Sequence, residues 1–358
     1  MLSFTSFSQG VNQGVVQSTQ YPVNMYLINS AYAGCEEYTS LQTGFKKNWV
    51  GLENSPQTFY LSGHTRLQKE KKFEQKPMES LPDPGYTVPL RGRSANAYLQ
   101  QQSQMDDSVK KARKKYEEDY KKEIEEQKEK FKYRPYHGIG ANVISEQTSP
   151  TSRLGASLTY AFHMYLTKTL RWSLGVSGGI SQTAYNLNDV HFAQPENNLS
   201  LSDSKINPDI SAGTFLYTNK FHFGFSAFSL IPYESFTRFG NKGTNQVKTT
   251  FMGNLGYKIS LSQDFYITPS LWGRYSYGIF GVDFNVRANY KNVWGGITYR
   301  RIDALAFMVG INLNKSIDLS YAYDYTLSPL KATSTGGHEL ILGYRLKKKK
   351  GSTQSLVF

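Results

Sequence analysis

The chain has 358 residues, 41 Lys and Arg against 28 Asp and Glu, a formal net charge of +13, and one cysteine, Cys35. One cysteine excludes a disulfide framework or a cysteine-based zinc site within the chain. No run of eighteen apolar residues occurs, which excludes a membrane-spanning helix.

Hydrophobic residues make up 39% and the mean hydropathy is −0.50. Aromatics nevertheless reach 14%, with 26 Tyr, 21 Phe and 30 Gly. That mixture suits many strands with amphipathic rings at a membrane interface, and a transmembrane barrel reads as polar on average because every second residue faces water. With spanning helices excluded, a closed barrel is the remaining way across a bilayer. No nucleic-acid motif accompanies the basic balance, which sits in a stretch near 105–134 and in the tail Arg345 to Lys350. Solvation and protein contacts are its expected roles.

In chain order, residues 1–8 have the character of a signal-peptide remnant, with small residues at Ser6 and Ser8. Residues 9–37 form an N-terminal segment before the first strand, and Tyr21 to Gly34 is a candidate plug for a barrel lumen. Tyr32-Ala-Gly-Cys35 only faintly resembles a lipoprotein box. A barrel is expected over 38–348, with a tail at 349–358. Period-2 alternation marks fourteen strands near 38–48, 56–66, 137–147, 152–164, 169–182, 208–218, 220–230, 247–260, 264–275, 280–290, 292–301, 303–313, 316–326 and 337–347. Short turns fall at Thr167–Thr169, Thr218–Lys220, Ser262–Asp264, Lys291–Asn292 and Asn314–Ser316, and longer ones at 183–207, 231–246 and 327–336. Short turns at one end and long loops at the other is the outer-membrane pattern. The fold class is therefore all-β, an antiparallel transmembrane barrel.

The insert at 68–136 breaks the alternation. Asp106 to Tyr133 predicts a charged helix with Tyr116, Tyr120, Ile124 and Phe131 at helical spacing and Glu-to-Lys pairs four residues apart. By the strand count it joins the second and third strands and belongs on the periplasmic side. It is either a solvated loop helix or a docking arm for a periplasmic partner.

On the last strands, bulky residues such as Val282, Phe284, Val286 and Tyr290 oppose Asp283, Asn285, Arg287 and Asn289. This parity turns Asp283, Arg287, Arg300, Asp318, Asp324, Glu339 and Arg345 into the lumen, where opposite charges on adjacent strands could form a ladder or hold an internal segment. No Gly-x-Ser-x-Gly elbow, His-Glu-x-x-His helix or metal-ligand spacing is present, so no catalytic residue, cofactor or metal is expected.

The order of motifs resembles the PorP/SprF family of outer-membrane type IX secretion components. Asn29-Ser-Ala31-Tyr32-Ala33-Gly34 is similar to the family's Asn-Pro-Ala-Tyr-Ala-Gly, with Ser30 in place of Pro. Lys46-Lys-Asn-Trp49-Val-Gly51 leads into Pro56-Gln-Thr58 as the family's Arg/Lys-x-x-Trp-x-Gly leads into Pro-x-Thr. Further on stand Trp294-Gly295, Tyr299, Tyr323-Asp324 and Gly336-Gly-His338-Glu339, the last similar to Gly-Ser-His-Glu. The resemblance covers the chain except 68–136. It implies a non-enzymatic component of secretion and gliding machinery that binds secreted surface adhesins, periplasmic ring lipoproteins, or both. Loops 183–207 and 231–246 would meet cargo. The alternative is an outer-membrane transporter or porin for small or hydrophobic solutes.

Overall fold

The computed structural model describes residues 17–67, 133–149, 151–186, 202–236, 245–301 and 303–346, together with helical residues 111, 114–116 and 118–127 of the insert. The chain divides into two compact units, residues 1–68 with 135–358, and residues 69–134.

The first unit is a ring of fourteen antiparallel strands. They are β1 Thr39–Lys47, β2 Gln57–Leu67, β3 Tyr136–Thr148, β4 Thr151–Tyr165, β5 Arg171–Asn186, β6 Ser202–Tyr217, β7 Phe221–Phe228, β8 Thr250–Tyr257, β9 Phe265–Ser276, β10 Ile279–Tyr290, β11 Val293–Arg300, β12 Ala304–Asn312, β13 Ile317–Thr326 and β14 Gly337–Leu346. Each pairs with its sequence neighbour, and β14 pairs with β1 from Thr39 opposite Leu346 to Lys47 opposite His338, which closes the ring. Closure leaves no sheet edge, the condition for crossing lipid with strands.

The alternation of the sequence is the alternation of the wall. On β10, Phe284 and Val286 are half exposed on the outer face, while Asp283, Asn285, Arg287 and Asn289 are buried on the inner one. On β4, Leu158 is 72% exposed and its neighbour Thr159 is 4% exposed. The outer face carries Leu, Ile, Val and Phe with Tyr toward the strand ends, including Tyr299 and Tyr325 at one end and Tyr290 and Tyr344 at the other. That is a lipid-facing band flanked by interfacial aromatics.

Several expected boundaries move. β5 runs to Asn186 and β6 starts at Ser202, so the expected 183–207 loop contracts to 187–201. Asn207, Pro208 and Asp209 lie inside β6 rather than opening it. β8 starts at Thr250, is interrupted at Lys258 and resumes at Ile259–Ser260. The 231–246 loop contains a small hairpin, Tyr233–Phe236 with Asn245–Val247. The sorting of turns by length is also incomplete. At the long-loop end β3 and β4, β9 and β10, and β11 and β12 are separated by only two or three residues. β3 to β6 have 13, 15, 16 and 16 residues, beyond the roughly 9–11 that hydrocarbon requires, so one side of the wall is taller.

In the second unit, residues 118–127 are helical, as the spacing predicts. Ile124 is buried and Tyr116 and Tyr120 are half-buried, while Lys121, Lys122 and Glu123 are exposed. Phe131 and the expected start at Asp106 lie outside the described residues, and Tyr133, the expected last residue, is in a turn.

Candidate functional site

The barrel interior is occupied by the chain's own residues 17–35. From Ser18 to Gln20 at the long-loop end to Cys35 at the short-turn end, nearly every side chain is buried. Two single-turn 3-10 helices, Met25–Leu27 and Ser30–Tyr32, compact the path before the chain enters β1.

The outer end is held by charge. Glu339 accepts hydrogen bonds from Ser18 Oγ at 2.5 Å and from the backbone N–H groups of Thr19 at 2.8 Å and Gln20 at 3.2 Å. Thr19 Oγ1 donates to Asp324 at 2.7 Å and accepts from Lys46 Nζ at 2.7 Å and Arg300 Nη2 at 3.2 Å. A hydroxyl has one proton and two lone pairs, so this one is fully used. Lys46 also reaches the Gln17 carbonyl at 3.0 Å and pairs with Asp324 at 3.2 Å. Arg300 lies within 3.3–3.5 Å of Asp283, Asp303 and Asp324, and Arg274 pairs with Asp283 at 2.7 Å. Three cations, Lys46, Arg274 and Arg300, thus face four carboxylates, Asp283, Asp303, Asp324 and Glu339.

The middle is pinned by neutral bonds and rings. Tyr21 packs against Trp272 with ring centroids 5.0 Å apart and meets Ser270 at 2.9 Å. Tyr26 meets Thr159 at 2.8 Å, Asn24 donates to Ser62 at 2.9 Å, and Ser226 donates to the Ile28 carbonyl at 2.6 Å.

The inner end is the Asn29 to Gly34 motif, which passes β6, β5, β4 and β3 in turn. Asn29 caps Ala31 N–H at 2.9 Å and donates to the Thr214 carbonyl at 3.0 Å. Ser173 donates to the Ala31 carbonyl at 2.8 Å. His163 Nε2 meets the Ala33 carbonyl at 2.8 Å, so that nitrogen is the donor. In the neutral ring Nδ1 then accepts from Tyr217 at 3.0 Å, Tyr217 accepts from Tyr136 at 2.6 Å, and Tyr136 accepts from Arg66 at 3.0 Å. Arg66 also donates to the carbonyls of Gly34 at 3.2 Å and Cys35 at 3.0 Å and lies 3.8 Å from the centre of the Tyr136 ring. Wall glycines admit this close fit. A Cβ at Gly138 would overlap the Ala33 carbonyl, and one at Gly175 would overlap Ser30 and Ala31. Gly34 has φ +81°, a conformation that favours glycine.

Burial pushes the Glu36 carboxyl, just past the motif, up to about 7. It faces His64 at 3.8 Å and accepts from Tyr32 at 3.2 Å. Burial likewise raises the Cys35 thiol to about 12, an inert environment for a cysteine.

All seven expected lumen charges face inward, but they do not form one ladder. Asp283, Arg300, Asp324 and Glu339 join the outer cluster. Asp318 and Arg345 pair with each other at 2.9 Å near the short-turn end. Arg287 has no carboxylate partner among the described residues and lies 5.3 Å from the centre of the Trp294 ring. Lys46, Arg274 and Asp303, which were not among the expected lumen charges, complete the cluster, and Arg66, His163, Tyr136 and Tyr217 form the inner clasp. Inward parity would have found Lys46, Arg66 and Arg274. Of the other motif residues, Trp294 faces inward, while Tyr299, Tyr323 and His338 face outward with His338 2.6 Å from Tyr321. Gly295 lies beside Trp294 on β11. Trp49 and Gly51 sit in the β1–β2 loop, which is fastened to the β13–β14 loop by Val50 N–H to the Gly336 carbonyl at 2.7 Å. Among the described residues no group of His, Cys, Asp and Glu is arranged to hold a metal.

A closed fourteen-stranded ring with an apolar outer band and a polar interior defines an outer-membrane β-barrel. Among solved structures the chain is similar to the Ralstonia pickettii toluene transporter TbuX, with 8% identity over 92% of this chain and 94% of that one and a TM-score of 0.45. It is also similar to Acinetobacter baumannii Omp33, with 9% identity over 87% and 100% and a TM-score of 0.42, and to the CymD monoaromatic hydrocarbon channel, with 9% identity over 94% of each and a TM-score of 0.46. No curated protein matches the sequence. The family model described as type IX secretion system membrane protein PorP/SprF matches residues 10–75 and 84–344. The chain belongs to that family and is an outer-membrane component of type IX secretion. The match also extends into the insert, which the motif resemblance left out.

Proposed function

We propose that this protein acts as a docking component of the type IX machinery, without catalysis and without an open pore. Secreted surface proteins such as adhesins would dock at its long-loop face, and a periplasmic ring lipoprotein at its short-turn face. The observation that carries this reading is the occupied lumen. Residues 17–35 are bonded to the wall at both mouths and along the way, so work on a large substrate falls to the surfaces. At the long-loop end these are loops 187–201, 229–249 and 327–336. The contact stripe for the ring lipoprotein would be the insert's Tyr116, Tyr120, Ile124 and Phe131, grouped by their helical spacing in the sequence. The short-turn end is assigned to the periplasm because outer-membrane barrels keep their short turns there.

The test is capture of the tagged protein from native outer membranes in mild detergent, read by mass spectrometry. Recovery of a secreted surface protein or a periplasmic ring lipoprotein, reduced for the ring protein when residues 77–130 are deleted, supports the reading. Recovery of the barrel alone contradicts it.

A further inference from the structure

Arg287 is unlike the other inward arginines. Arg153, Arg274, Arg300 and Arg345 each pair with a carboxylate, and Arg66 and Arg171 donate to oxygen atoms. Arg287 is 4% exposed, yet its Nε and Nη2 have no hydrogen-bond partner among the described residues. A buried guanidinium is normally paired, because desolvating an uncompensated charge is costly.

Two nearby polar atoms also have no partner among the described residues. Thr268, directly opposite on β9, is buried with a free Oγ1. Asn289, two residues along the same face of β10, is buried with a free Nδ2. The other inward neighbours on β9 to β11, Asn285, Tyr266, Ser270, Trp294, Gly296 and Thr298, bring no carboxylate, and neither do Tyr21 and Tyr32 of the threaded segment and His222 of β7, which also lie near it. Asp283, four residues away, is engaged by Arg274 and Arg300. Lys258, 3.8 Å from the centre of the Tyr266 ring, and exposed Lys220 and Lys291 add positive charge at the same short-turn mouth.

We propose that Arg287, Asn289 and Thr268 form an oxyanion-binding site inside the barrel, between the threaded segment and the short-turn mouth. A guanidinium edge flanked by an amide and a hydroxyl matches a carboxylate or phosphate, which takes two parallel bonds from the fork. The mouth lysines draw anions toward it. The oxyanion is either a free ion or a carboxylate presented by a partner peptide, and the site chemistry is the same for both.

The experiment is calorimetric titration of the detergent-purified full-length protein at constant ionic strength, with inorganic phosphate and separately with a hexaglutamate peptide and its hexaglutamine counterpart. Saturable binding is expected, weakened about tenfold or more by Arg287→Gln and less than about threefold by Lys291→Gln at the exposed mouth. Arg287→Lys keeps the charge without the fork and should fall between them. It also serves as the test if Arg287→Gln lacks the heat-modifiable gel mobility of a folded barrel. Phosphate binding that hexaglutamate does not displace identifies a small-ion site. Displacement by hexaglutamate and not by hexaglutamine identifies a peptide carboxylate. Either upholds the site. Absence of saturable binding by both probes, or equal binding by folded Arg287 variants, overturns it.

Discussion

The two ends of the segment threaded through this barrel are held by different physics. At the long-loop end, Ser18, Thr19 and Gln20 sit among three cations and four carboxylates, with Arg300, Asp283, Asp324 and Glu339 each shared by several partners. At the short-turn end, the carbonyls of Ala31, Ala33 and Gly34 accept from Ser173, His163 and Arg66, beside wall glycines that leave no room for a side chain. The outer end depends on charge balance, and the inner end, where Arg66 is the one cation the clasp uses, mainly on shape. Charge networks fail when one member is removed, because the others stay buried and unpaired. Shape fails when atoms are added.

The largest expected effect is therefore an addition at the inner end. Gly138→Val places side-chain atoms on the Ala33 carbonyl and should destabilise the barrel by about 3 kcal/mol or more, measured as the denaturant midpoint of heat-modifiable mobility. A wild-type midpoint would show that the segment does not occupy that position. Next comes removal at the outer end. Arg300→Met strands Asp303 and part of Asp283 and Asp324, with an expected cost of roughly 3 kcal/mol. Glu339→Gln keeps an acceptor for Ser18 and should cost only about 1 kcal/mol. Equal losses for the two would mean that the cluster is not a coupled network.

A smaller effect separates the ends by pH. Burial raises the Glu36 carboxyl to about 7, above its usual 4.5. The folded protein therefore keeps a proton that the unfolded chain gives up. That contribution is whole below about pH 4.5, drains as pH rises toward 7, and is gone above it. Each tenfold gain in proton affinity corresponds to at most about 1.4 kcal/mol in this pocket. Glu36→Gln should flatten stability between pH 4.5 and 7, and an unchanged slope would assign the dependence elsewhere. The smallest effect is expected for deletion of 77–130. Residues 69–134 form a compact unit of their own, so the barrel should keep its midpoint while capture of the periplasmic partner declines.

The wall was far more legible in the sequence than the grip on its contents. Fourteen strands stand out because lipid on one side and water on the other force a strict period of two. The inward parity of Asp283, Arg300 and Glu339 follows directly. The β5–β6 boundary was missed where that force stops. Pro208 and Asp209 have turn chemistry, but β6 continues through them. Tyr21 to Gly34 could be proposed for the lumen from its place before β1. Its clasp could not, because Arg66, Tyr136, His163 and Tyr217 come from four strands and converge only after closure. Charge type alone grouped Arg287 with Arg300, although the first has no carboxylate partner among the described residues and the second has three within reach.

The most direct test of an occupied lumen is electrical. Wild-type protein reconstituted in a planar bilayer should show no steady conductance. A variant in which Gly138→Val and Arg300→Met loosen both ends of the segment should show discrete open events. A wild-type barrel that conducts steadily would contradict the account and return the protein to a channel role.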